Sequence, residues 1–178
     1  MIPSRRTVLV CAAVAVGTVL AAGVPAQAGV AEVGEATVRL AARPDLVADV
    51  AQASQADGAP VDLWALTGAK NQRWAVQASL DGYYRFRSVN SGKCLNVRNA
   101  AVADGAPVIQ WPCGTAPNEL WKVVPKAIGY QFVNKNSGKC LNVQYGVGQG
   151  NPLIQYTCSA GGATNDVWLS VWEEPPAD

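Results

Sequence analysis

Seven residues in a row, Ser91-Gly92-Lys93-Cys94-Leu95-Asn96-Val97, return unchanged 46 positions later as Ser137-Gly138-Lys139-Cys140-Leu141-Asn142-Val143. Identity of that length makes an internal repeat the first constraint on the fold. Asp57-Gly58-Ala59-Pro60-Val61 likewise returns as Asp104-Gly105-Ala106-Pro107-Val108 after 47 residues. A third element, Asn71-x-x-Trp74, recurs as Asn118-x-x-Trp121 and Asn165-x-x-Trp168, with both gaps equal to 47. The chain therefore carries three copies of one unit. The first has diverged most: Val47-Ala48-Asp49-Val50 stands where the other two have Cys-Leu-Asn-Val.

Each copy reads as short strands and turns. Tyr84-Arg85-Phe86-Arg87 and Tyr130-Gln131-Phe132-Val133 alternate at period two. Asn90-Ser91-Gly92-Lys93 and Asn136-Ser137-Gly138-Lys139 have the composition of turns, as does Asp-Gly-Ala-Pro before Val61–Trp64 and Val108–Trp111. A last short strand follows each Asn-x-x-Trp, as in Trp121-Lys122-Val123-Val124. The Ala-rich stretch Ala48–Ala56 aligns with Leu95–Val102, so it is read with that segment and not as a helix. The expectation is an all-β domain of about four strands per copy and about twelve in total. One copy cannot bury its apolar face alone, whereas three closed around a pseudo-three-fold axis can. Trp74, Trp121 and Trp168 are then core residues meeting near that axis.

Composition removes several kinds of chemistry. The sequence contains no histidine, which excludes His-based triads, His general bases and His-ligated metals. A net charge of +1, with Lys and Arg dispersed, gives no electrostatic footprint for nucleic acid. No paired carboxylates stand out at equivalent positions of the repeats, so no catalytic constellation and no cofactor site are expected.

The amino-terminal segment reads as an export signal. Arg5 and Arg6 precede an uncharged apolar run from Val8 to Val24, and Ala26-Gln27-Ala28 fits small-residue cleavage after Ala28. Ser4-Arg5-Arg6 loosely resembles a twin-arginine signal, and both export routes stay open. The expected product is extracellular, with no membrane attachment after cleavage and a net charge of −1. Cys11 leaves with the signal. Cys94, Cys113, Cys140 and Cys158 remain, an even number suited to an oxidising compartment. Four cysteines allow three pairings by counting alone. Repeat 1 has lost both of its cysteines together, to Val47 and Leu66, which indicates that the two positions touch within a repeat. The expected bonds are Cys94–Cys113 and Cys140–Cys158.

These motifs resemble the ricin B-type lectin domain, a β-trefoil also classed as a family-13 carbohydrate-binding module. The hallmark of that family is Gln-x-Trp near the end of each repeat. Gln72-Arg73-Trp74 matches it fully, while Glu119-Leu120-Trp121 and Asp166-Val167-Trp168 keep the Trp. The resemblance covers roughly Ala36–Trp172, with repeats at about 36–78, 79–126 and 127–172, a flexible lead-in at 29–35 and a loose tail at 173–178. It implies carbohydrate as the partner and binding as the function. Each repeat would supply an Asx side chain for paired hydroxyls, an aromatic face for the pyranose C–H face, and an Asn amide. Carried over, these are Asp49, Trp64, Asn71 and Gln72 in repeat 1, then Asn96, Trp111, Asn118 and Glu119 in repeat 2, then Asn142, Tyr156, Asn165 and Asp166 in repeat 3. Family members often have Gln two residues before the stacking aromatic; here those positions hold Asp62, Ile109 and Ile154, and strand alternation turns Gln110 and Gln155 the other way. Repeat 1 alone keeps a carboxylate, an indole and an intact Asn-Gln, and is expected to be the best site. The competing readings are a trefoil that binds other proteins, such as a protease inhibitor, and a degenerate trefoil without sugar binding.

Overall fold

A computed structural model describes residues 30–172. The expected export signal at 1–28 and the tail at 173–178 lie outside the described residues. Twelve strands follow in order: β1 (Val30–Leu40), β2 (Arg43–Val50), β3 (Val61–Ala65), β4 (Arg73–Ser79), β5 (Tyr84–Ser88), β6 (Cys94–Val97), β7 (Val108–Trp111), β8 (Trp121–Pro125), β9 (Tyr130–Asn134), β10 (Cys140–Val143), β11 (Leu153–Tyr156) and β12 (Trp168–Trp172). Each of β1, β4, β5, β8, β9 and β12 pairs antiparallel with the next, and β12 returns to β1. These six form a closed barrel. The hairpins β2–β3, β6–β7 and β10–β11 stand outside it, each joined to the barrel through its first strand. This is the β-trefoil anticipated from the repeats.

The three hairpins also touch one another in a cycle. Pro60 bridges Ile109, Pro107 bridges Ile154, and Pro152 bridges Asp62, so each hairpin leans on the next and the last closes on the first. The same two backbone hydrogen bonds hold every seam. They join Gly58 to Gln110, Gly105 to Gln155 and Gly150 to Leu63 (2.7–2.9 Å), with return bonds from Gln110, Gln155 and Leu63 (2.9 Å). Two seams carry side-chain staples as well. Buried Gln110 donates to the carbonyls of Ser54 and Ala56, and buried Gln155 to those of Ala101 and Ala103. Lys93 pairs with Asp57 and Lys139 with Asp104 across the same two seams. The seam between repeats 3 and 1 has Leu63 in place of the glutamine, so it is held by backbone bonds and apolar packing.

The core fills the barrel and the space beneath the hairpins. Trp74, Trp121 and Trp168 are fully buried within one apolar cluster, which also contains Val38, Phe86, Phe132, Leu63, Leu95 and Leu141. Phe86 stacks on Phe132 with ring centroids 5.0 Å apart. Each indole N–H finds a carbonyl in its own repeat: Trp74 on Ala48 (3.2 Å), Trp121 on Leu95 (3.0 Å) and Trp168 on Leu141 (3.0 Å). A buried indole without such an acceptor would lose a net hydrogen bond.

Cys94 is bonded to Cys113 and Cys140 to Cys158, one cystine inside each of repeats 2 and 3. In repeat 1 Val47 is buried and Leu66 stands at the surface, with its backbone N–H bonded to the Asp45 carbonyl (2.9 Å). One expectation is corrected. Residues 30–35 are not a flexible lead-in but the first half of β1, because β4 is long enough to pair with them: Ala31 lies opposite Ala78 and Glu35 opposite Ala75.

Truncating one of the three indoles removes both its packing and its hydrogen bond. Trp121→Ala should lose roughly 3–5 kcal/mol in equilibrium urea unfolding, with Trp168→Ala close to it.

Candidate functional site

The Asn-x-x-Trp segment organises each repeat. Its first residues form a tight turn, at Lys70–Gln72 and Pro117–Glu119 as single turns of 3₁₀ helix and at 164–166 as a plain turn. Asn and Trp leave that turn toward the same strand of the neighbouring hairpin. In repeat 1 the Trp74 indole takes the Ala48 carbonyl while the Asn71 amide takes the Val50 carbonyl (3.1 Å). The residue between them is Asp49, and both of its oxygens accept from Asn71 Nδ2 (2.9 Å). Repeat 2 repeats the arrangement, with Asn118 donating to Asn96 Oδ1 and the Val97 carbonyl (both 2.8 Å). So does repeat 3, with Asn165 on Asn142 Oδ1 (2.9 Å) and the Val143 carbonyl (3.2 Å). The backbone on either side of the Asx residue is thus held in every repeat, and in repeats 1 and 2 that residue lines an open cleft.

The stacking positions lie at or next to the ends of their strands. Trp64, Trp111 and Tyr156 have 42%, 45% and 48% of their surface exposed, while the Asx residues of the same repeats are almost fully buried. In repeat 1, Asp49, Asp62, Trp64, Thr67, Asn71 and Gln72 share one open cleft of about 370 Å³ with the turn Ala51–Ala53. In repeat 2, Asn96, Ile109, Trp111 and Asn118 share a cleft of about 560 Å³ with Arg98, Asn99 and Ala100. One rim of each of these two clefts is a left-handed turn, Gln52 and Ala53 in repeat 1 and Asn99 and Ala100 in repeat 2, all with positive φ, and Tyr145 and Gly146 at the equivalent place in repeat 3 have positive φ as well. For Ala that conformation costs about 1–2 kcal/mol. These rim residues were missed in the sequence. Only Asn99 and Gly146 belong to residue types that favour positive φ, and alone they do not mark a turn.

The residue after each Asn is bonded within the protein itself. Gln72, expected to touch sugar, is buried, and its amide is committed to the protein. It donates to Asp49 Oδ2 and the Ala65 carbonyl (both 2.8 Å), and accepts from the Thr67 and Gly68 backbone N–H groups (2.7 and 3.2 Å). Glu119 is likewise buried, paired with Arg85 (2.8 Å) and accepting from the Gly114 N–H (3.0 Å). Asp166 accepts from Gln131 (2.9 Å) and from the N–H groups of Ser159 and Ala163. All three tie the loop after the stacking strand to the turn. Gln110 and Gln155 face away from the clefts, as alternation required.

A second carboxylate stands in the repeat 1 cleft, where none was expected to be paired. Asp62 lies directly across from Asp49 in the β2–β3 register. Burial, and then the charge of Asp49, push its carboxyl up to about 6. Its Oδ1 is buried and has no hydrogen-bond partner among the described residues. Burial also raises Asp49, although the Gln72 and Asn71 amides oppose the shift.

The closed barrel, the three capping hairpins and the shallow clefts ending in an exposed aromatic define a β-trefoil of the lectin type. The family description "Ricin-type beta-trefoil lectin domain-like" matches residues 26–111 and again 70–156, which together span most of the chain. The protein belongs to that family. No curated protein matches the sequence significantly. Among solved structures, the designed three-fold symmetric protein ThreeFoil is 35% identical, with a TM-score of 0.73 over 78% of this chain and 98% of its own. An exo-β-1,3-galactanase from Clostridium thermocellum is 26% identical with a TM-score of 0.73, over 80% of this chain but only 31% of its own length. The Macrolepiota procera ricin B-like lectin, solved with lactose, shares the fold at 14% identity, with a TM-score of 0.66 over 80% of this chain and 98% of its own.

The Asp62 carboxyl gives the site a signature in stability. Its folded-state value, about 6, lies above the ordinary 3.8. The folded protein therefore binds more protons between those values, so this group makes stability fall as pH rises through the window, with the penalty complete above it. Asp62→Asn should melt at higher temperature than the parent protein at pH 7, and the gain should shrink by pH 4 when followed by circular dichroism.

Proposed function

We propose that this protein is a secreted, non-enzymatic lectin that binds carbohydrate weakly in the repeat clefts, with repeat 1 as the principal site. The observation that carries the reading is the conjunction at Trp64: an exposed indole, two residues from Asp62 and beside the oriented Asp49, on the wall of an open cleft. A pyranose presents a C–H face to an indole and hydroxyls to a carboxylate, and this cleft offers both surfaces at once. Membership of the family supports carbohydrate as the partner, as does the lactose in the Macrolepiota procera structure. Asn96 with Trp111 and Asn142 with Tyr156 repeat the design without charge, and a neutral acceptor makes the weaker bond. Asn71, Asn118 and Asn165 orient these groups with the nitrogen of their amides.

We read Asp49 and Asp62 as binding groups and not as a hydrolytic pair, a reading supported by their place side by side on adjacent strands of one cleft wall. The apolar segment 8–24 with Ala26-Gln27-Ala28, and the two cystines, support export to an oxidising compartment.

A glycan array followed by affinity electrophoresis through soluble polysaccharide tests the reading. Binding should lie on the order of 1 mM per site, or about 4 kcal/mol. Trp64→Ala should abolish most retardation while the unfolding midpoint stays near that of the parent; Asp49→Ala should abolish it as well but lower the midpoint, because the buried Asn71 and Gln72 amides lose an acceptor; and Asn96→Ala should do less. Retardation unchanged by both repeat 1 substitutions would refute the assignment of the principal site.

A further inference from the structure

The equivalent positions of the three repeats share a frame but differ in charge. At the Asx position they hold Asp49, Asn96 and Asn142, and at the position facing it across the hairpin they hold Asp62, Ile109 and Ile154. At the first residue of the rim turn, repeat 1 has Ala51 where repeat 2 has Arg98. Repeat 1 has thus gained a carboxylate at both facing positions and has no cation at the rim, while repeat 2 has no carboxylate at those positions and an arginine at its edge.

Among the described residues no cation neutralises the pair. The groups around Asp49 and Asp62 are Asn71 and Gln72 from the turn, Thr67 from the loop, Ala51–Ala53 from the rim and Trp64 from β3; no Lys or Arg lines the cleft. Pro152 touches Asp62 from repeat 3 and brings no charge. Lys70, on the same turn as Asn71, is exposed and outside the lining, and Arg73 is occupied with Glu35 (3.4 Å). Like charges facing each other across a strand pair are unfavourable, and Asp62 Oδ1 still lacks a donor. The face of Trp64 beside them attracts cations as well as C–H groups.

We propose that the repeat 1 cleft selects an amino sugar in its ammonium form, a pyranose whose ring lies on Trp64 and whose –NH₃⁺ reaches Asp62 and Asp49. This deepens the lectin reading and rests on it. An ammonium supplies three donors and a charge, and its binding relieves the repulsion between the two acids. N-acetylation of the same sugar removes the charge and keeps the ring. The selectivity should therefore appear in that comparison, and at repeat 1 alone.

The test is an NMR titration of the purified protein with D-glucosamine and D-galactosamine, their N-acetyl forms and the parent hexoses, reading the indole N–H signals of Trp64 and Trp111 separately. At pH 7 the amino sugars should move Trp64 with at least about tenfold lower Kd than the N-acetyl forms, about 1.4 kcal/mol. Trp111 should show no such preference. Asp62→Asn should bring the ratio at Trp64 close to one while leaving the Trp111 response as it was. Lowering the pH to 5 should do the same in the parent protein, because Asp62 is held at about 6. Equal affinity for amino and N-acetyl sugars at Trp64 would overturn the selectivity and leave the lectin reading standing. A response of neither indole to any sugar would overturn the lectin reading itself. A shift of Trp64 by calcium chloride alone, reversed by chelator, would overturn the proposal by assigning the acids to a metal.

Discussion

Everything in this molecule depends on a two-point clamp between a turn and a strand. In each repeat the Asn and Trp of one short segment take carbonyls on either side of a single Asx residue: Ala48 and Val50, Leu95 and Val97, Leu141 and Val143. The Trp end of the clamp is buried and contributes to the core, while the Asn end lies under the cleft. One motif therefore connects the barrel to its hairpin and orients the side chain at the base of the site. Losing the Trp removes a core anchor, and losing the Asn releases the Asx group. Fold and site share the same hydrogen bonds.

The clamp also explains how the repeats have diverged. What it fixes is backbone and the orientation of one short side chain, so residues elsewhere in the cleft are free to vary. Repeat 1 replaced a cystine by Val47 and Leu66 and kept its hairpin geometry, with five residue pairs in register from Leu46 with Ala65 to Val50 with Val61. The polar residue after the clamp Asn is buried in all three repeats, and each has found a different partner. Gln72 uses Asp49, Glu119 uses Arg85 and Asp166 uses Gln131. Arg85 and Gln131 occupy matching places on β5 and β9, so the barrel strand and the turn have changed together. The seams diverged in the same way, two with glutamine staples and Lys–Asp pairs and one with Leu63.

Much of this was legible in the sequence because repeats convert identity into position. Three in-phase Trp residues became three buried indoles, joint loss of two cysteines identified the cystine partners, period-two alternation turned Gln110 and Gln155 inward, and the family resemblance singled out Trp64, Trp111 and Tyr156. What repetition could not show lies where the repeats differ or where long-range contact decides. Residues 30–35 have no counterpart preceding the other repeats, and only the length of β4 makes them a strand. Gln72, Glu119 and Asp166 were carried over as ligands from the family resemblance, and their burial depends on loops folding over them. The Asp49–Asp62 pair depends on the register of β2 and β3 across a connection of ten residues. Neither acid on its own announced it.

A crystal structure of the protein soaked in a sugar that it retains, at a concentration far above the millimolar range, addresses the central claim most directly. The account predicts a pyranose in the repeat 1 cleft, with its C–H face on Trp64, a polar substituent at Asp49 or Asp62, and the clamp from Asn71 and Trp74 undisturbed. Sugar density against Tyr145 or Trp172 with the clefts of repeats 1 and 2 empty would contradict it.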